Sequence, residues 1–99
     1  MKLREIAYTR SGDKGDTANI CIFPYKDEHW ELLREKLTAD VVKDFFSRTV
    51  HGRVDRYEFP NLKGLNFVLH QALGGANTAS LNVDTQAKSY QSFILDIEI

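Results

Sequence analysis

Cysteine is nearly absent from this chain. Cys21 stands alone among 99 residues. That excludes an internal disulfide and any multi-cysteine metal site, and it suits a reducing cytoplasm. Proline is almost as scarce: Pro24 and Pro60 are the only two, and each closes a predicted strand. A charge of one sign is missing too. Thirteen Lys and Arg against fourteen Asp and Glu leave a net charge of -1, so there is no basic field to gather nucleic acid. No apolar run approaches the roughly 20 residues of a membrane span. The segment from Met1 to Asp13 has no apolar stretch that reads as a signal peptide. Internal repeats and low-complexity segments are absent.

What is present is ordinary globular material, 42% hydrophobic and 27% charged. The length allows one domain, residues 1–99, with a thin core. The most informative stretch is Arg10 to Ile20, Arg-Ser-Gly-Asp-Lys-Gly-Asp-Thr-Ala-Asn-Ile. It sets two glycines and charges of both signs between two apolar runs, where a plain strand connection needs only two to five residues. The expected structure is a folded-back cup, either a working site or a crossover clamped by internal pairs of Arg10, Asp13, Lys14 and Asp16. Gly12 and Gly15 take positive φ and aim consecutive amides into one concavity, and Arg10 and Lys14 charge its rim. The spacing of a Walker loop is absent.

Periodicity predicts strands at residues 3–8 and 17–23. The second is apolar throughout Ile20-Cys21-Ile22-Phe23, which predicts cover on both faces, by a helix layer on one side and a partner chain on the other. Asp27 is predicted to cap a helix from Glu28 to Leu37, burying Trp30, Leu33 and Leu37. Thr38 is predicted to cap a second helix that buries Val41, Val42, Phe45 and Phe46 and ends at His51-Gly52. A strand over 53–59 follows, with Tyr57 and Phe59 on one face and Arg56 and Glu58 on the other. Asn61 is predicted to cap a third helix, 62–73, closed by Gly74-Gly75. Strands are predicted at 78–84 and 90–99. The order β-β-α-α-β-α-β-β implies an α+β sandwich, a mostly antiparallel sheet with helices on one face.

Several of these motifs occur together in a known family. They are the 10–20 stretch, Tyr57 with Pro60-Asn61-Leu62, Leu65-Asn66-Phe67-Val68-Leu69, Ala72-Leu73-Gly74-Gly75 and Ser80-Leu81. The chain resembles, over nearly all its length, the small C-terminal domain of the acyclic terpene utilisation (AtuA-type) proteins. The resemblance implies a ferredoxin-like fold and a link to breakdown of acyclic terpenes. Two departures stand out. The large N-terminal domain of that family is not part of these residues, which implies that the large partner is a separate protein. The turn Gln86-Ala87-Lys88 lacks the glycine expected before the lysine.

The residues leave two functions open, and with them whether the chain is an enzyme. One is a non-catalytic interaction or assembly module that self-associates or docks on a large AtuA-type protein. Its grounds are small size, the absence of a nucleophile constellation and of a metal set, the all-apolar second strand, and Phe67 projecting off the core stripe of the third helix. The other is a small domain that binds or transforms an anionic substrate such as an acyl-CoA thioester. For it the candidate ligand-binding residues are Arg10, Ser11, Gly12, Asp13, Lys14, Gly15, Asp16, Asn19, Asn66, Gly74 and Gly75. Asp13 and His70 are the candidate proton carriers, with Asn66 orienting His70 at i, i+4 on the third helix. Neither reading requires a metal or cofactor. Asn66 and His70 read equally as a plain hydrogen-bonded pair, and Cys21 as a buried hydrophobe. Gly64, within a predicted helix, calls for a close approach by sheet or partner.

Overall fold

The computed structural model describes residues 1–14, 17–47, 50–71 and 90–99, with the backbone alone for Asp13 and Lys14. Strand β1, Ala7–Lys14, pairs antiparallel with β2, Thr17–Pro24, from Ala7 opposite Pro24 to Lys14 opposite Thr17. Helices α1, Trp30–Lys36, and α2, Ala39–Phe45, follow. Then β3, Val54–Phe59, and β4, Gly64–Leu69, form a second antiparallel pair. The sheet order is β1-β2-β4-β3. β4 pairs antiparallel with both neighbours, so β2 and β3 run parallel, joined through the helix pair with β4 slotted between them. The predicted class holds: α+β, an antiparallel sheet with helices on one face.

Residue type decides which face is covered. Along β2 burial alternates, with Ala18, Ile20 and Ile22 fully inside and Asn19, Cys21 and Phe23 half-buried. Leu65, Phe67 and Leu69 continue the inner face on β4. They meet Leu33 and Leu37 of the first helical segment, Val42 and Phe46 of the second, and Ile94 near the C-terminus. Full burial of a side chain of this size contributes about 1.5–3 kcal/mol. The helices described cover one face of the second strand, and its other face is half-buried.

Several predicted elements are replaced. Residues 3–5 form a 3-10 turn, and the first strand begins at Ala7. Asp27 caps nothing. It opens a 3-10 turn, Asp27–His29, and its carboxylate pairs with Lys63 Nζ at 3.0 Å. Thr38 does cap α2, its Oγ1 accepting from the Val41 amide at 3.2 Å. On that helix Val42 and Phe46 are buried, but Val41 and Phe45 face solvent. The helix ends well before His51-Gly52, whose amides donate to the carbonyls of Gln71 and His70.

The predicted third helix is strand β4, reached through a tight turn in which the Leu62 and Lys63 amides donate to the Phe59 and Pro60 carbonyls. Lys63 takes a φ of 51° there. The predicted last strand is also absent. Residues 90–93 are helical and Ile94–Asp96 is a 3-10 turn. Only a single bridge, Lys2 with Glu98, extends the termini as sheet, beside the Leu3 amide donating to the Ile97 carbonyl at 2.8 Å. The predicted strand 78–84 and the Gln86-Ala87-Lys88 turn lie outside the described residues.

Arg56 occupies a position that polarity alone misreads. It stands on the helix side of β3, with its guanidinium donating to the carbonyls of Leu37 (3.0 Å) and Arg34 (2.7 Å) at the C-terminal end of α1. A helix end leaves such carbonyls without partners and attracts a cation, so a charged residue is stabilising on an inward position here.

Candidate functional site: the outer face of the sheet

Residues 10–14 and 17–20 do not fold back as a cup; the turn between them, Gly15 and Asp16, lies outside the described residues. They are the paired part of a long hairpin. Arg10 stands opposite Cys21, Ser11 opposite Ile20, Gly12 opposite Asn19 and Asp13 opposite Ala18. The ladder keeps the amides in the plane of the sheet, where they cannot converge on an anion. Gly12 has no positive φ and no atom within 4 Å of the place a Cβ would take. The glycine thus marks open surface, not a bend. Gly15, Asp16, Gly74 and Gly75 lie outside the described residues, as do the side chains of Asp13 and Lys14.

Strand pairing assembles a different constellation on the outer face. Paired residues share a face, so one row across the sheet reads Arg10, Cys21, Asn66, Tyr57. The next row reads Gly12, Asn19, Val68, Asp55. The Cys21 thiol donates to Asn66 Oδ1 at 3.6 Å, and Asn66 Nδ2 donates to Asn19 Oδ1 at 3.4 Å. Of the predicted ligand-binding residues, the structure thus gathers Arg10, Asn19 and Asn66. Ser11 sits in register with the inward Ile20. Cys21 is half-exposed on this face, not the fully buried hydrophobe expected. Partial burial pushes its thiol above the ordinary range, against the pull of the Arg10 charge, which keeps the sulfur protonated and weakly nucleophilic.

Aromatic side chains close one end of the face. The Tyr8 ring centroid lies 5.6 Å from that of Phe23 and 5.3 Å from that of Tyr25. Phe23 in turn lies over Gly64, where a Cβ would come within 2.5 Å of its ring. The close approach expected at Gly64 is real, and its agent is Phe23. Tyr8, Tyr25 and Tyr57 remain 41%, 65% and 52% exposed. Phe67, the predicted contact residue, is instead fully buried. The aromatics on this face include Tyr8, Phe23, Tyr25 and Tyr57, while Phe45 on α2 and Phe93 near the C-terminus are exposed as well. Parity along β1 and β2, once their pairing is known, points to three of those on this face.

The opposite end is polar. His70 Nε2 lies 2.9 Å from Asp55 Oδ2, and Arg53 Nε donates to both oxygens of that carboxylate at 3.2 and 3.0 Å. Arg53 first, and His70 second, hold the Asp55 carboxyl below the ordinary carboxylate range. His70 is therefore oriented by Asp55. The expected Asn66–His70 pair does not form. On a strand these residues lie four positions, about 13 Å, apart, and Asn66 is engaged by Asn19 and Cys21. The Asp55–His70 pair has acid–base geometry, yet no described serine, threonine or cysteine hydroxyl or thiol bonds to the imidazole. Among the described residues no three His, Cys, Asp or Glu side chains gather as a metal site. No helix among them is long and apolar enough to cross a membrane.

The model of the AtuA ferredoxin-like domain matches residues 1–99, the whole chain. No curated protein and no solved structure shows significant similarity.

Proposed function

The chain belongs to the AtuA ferredoxin-like domain family, and on that footing we propose that it is a non-catalytic interaction and assembly module whose working surface is the outer face of the sheet. The carrying observation is the pattern on that face. A half-buried polar centre, Cys21 with Asn19 and Asn66, is flanked by the exposed rings of Tyr8, Tyr25 and Tyr57. Tyrosines bring large contact area at low entropic cost and dominate the energetics of protein interfaces. Among the described residues, α1 and α2 expose two large hydrophobics, Val41 and Phe45, one turn apart on α2.

On this reading the partner is a large AtuA-type protein, the compartment is the cytoplasm, and the setting is the use of acyclic terpenes. The acyl-thioester alternative has less support in the paired backbone of residues 10–14 and 17–20, whose ladder hydrogen bonds keep the amides in the sheet. The test is binding of the purified chain to a purified large AtuA-type protein by interferometry. Tyr8→Glu and Tyr57→Glu are expected to weaken binding at least tenfold, while Val41→Glu on the exposed side of α2 leaves it unchanged. Equal affinity for all four proteins would overturn the assignment of the face.

A further inference from the structure

We infer that the outer face also takes a second copy of this chain, stacked sheet on sheet about a twofold axis that runs parallel to the strands between β2 and β4. This rests on the reading of that face as a docking surface, and it names the occupant. A twofold interface must be self-complementary, with each residue meeting its counterpart's partner. Two in-plane axes would bring the face onto a copy of itself. An axis across the strands turns the aromatic end of one copy, at Tyr8 and Phe23, onto the polar end of the other, at Asp55 and His70. An axis along the strands keeps like ends together. It sets β1 of one copy over β3 of the other and β2 over β4.

The consequences follow row by row from the register. Tyr8 meets Phe59 of the second copy, aromatic on aromatic. Arg10 meets Tyr57 of the second copy, with Asp55 one row further along the same strand. Arg10 makes no ion pair among the described residues. A guanidinium over a tyrosine face is worth about 0.5–2 kcal/mol, and symmetry makes the contact twice. The Phe23 ring already leans over Gly64, toward the axis, so the two Phe23 rings meet there. Cys21 leans toward Asn66, so the two thiols also approach across the axis.

The charge and the area set the strength. A net charge of -1 puts little repulsion between copies. Four strands about 4.8 Å apart and about seven positions at about 3.3 Å give a footprint of about 400 Å². That is about half of the roughly 800 Å² per partner that a standard specific interface buries. The pair is therefore a weak, transient dimer.

The experiment is sedimentation of the whole chain from micromolar to near-millimolar concentration, with circular dichroism to verify folding of each variant. The wild-type chain is expected to dimerise. A short bismaleimide is expected to join two copies through Cys21, the single cysteine. Arg10→Glu or Tyr57→Glu alone is expected to weaken the dimer at least tenfold. The double variant Arg10→Glu with Tyr57→Arg is expected to recover it. Positions 10 and 57 lie on opposite edges of one sheet, so rescue can arise only between copies. A monomer at every concentration would overturn the second copy as occupant and leave the docking of the large protein to its own test. A dimer indifferent to residues 10 and 57, without cross-linking at Cys21, would place self-association elsewhere and also overturn the inference.

Discussion

At the scale of single residues, the glycines separate what a pattern can say from what packing decides. The density of glycine and charge in residues 10–20 reads as a cup because both features serve anion loops. The same residues also serve a hairpin, where Gly12 needs no special backbone. Gly52 is the opposite case. A Cβ there would lie 2.6 Å from the His70 carbonyl oxygen, an atom fixed by the Gly52 amide itself at 3.0 Å. Nothing near Gly52 in the sequence announces this, because the neighbour is eighteen positions away. The contrast gives a prediction. Gly12→Ala is expected to leave stability unchanged or raise it by up to about 1 kcal/mol, through a less flexible unfolded chain. Gly52→Ala is expected to cost about 1–3 kcal/mol through forced displacement of backbone. Urea unfolding of both variants checks it. Marked destabilisation by Gly12→Ala would restore the cup.

At the scale of elements, two misreadings mirror each other. Leu62, Leu65, Leu69 and Leu73 carry a helical spacing, yet Leu65, Phe67 and Leu69 alternate, and the strand prevails because β4 finds ladders on both sides. A short apolar segment fits both periods, and only its neighbours arbitrate. The C-terminal residues do the reverse. Phe93, Leu95, Ile97 and Ile99 alternate, but the buried residues are Tyr90, Ile94 and Ile97, a helical spacing. Elements with local signals were legible: the Thr38 cap, the strand at 53–59 with its correct pairing of faces, and the burial of Trp30, Leu33 and Leu37. The element-scale prediction concerns Phe67. A solvent-facing aromatic on a helix could be truncated at little cost. In the core of β4, Phe67→Ala is expected to cost about 3–5 kcal/mol, read from the urea midpoint at constant slope. A loss below about 1 kcal/mol would return this segment to a helix.

At the scale of the whole molecule, the class was legible because alternation, caps and turns all imply two layers. The site was not. A sheet face is composed of residues from four strands, and its rows exist only once the register is known. Arg10, Cys21, Asn66 and Tyr57 span more than fifty positions of sequence and one line of the sheet. That line carries the proposal: a layer of helices covers one face, and the other is the proposed docking surface. The most direct measurement is amide chemical-shift mapping of the isotopically labelled chain, by self-titration and on addition of a large AtuA-type protein. The account predicts perturbations that cluster on Tyr8, Arg10, Cys21, Tyr57 and Asn66. Perturbations confined to α1 and α2, or none in either titration, would contradict it.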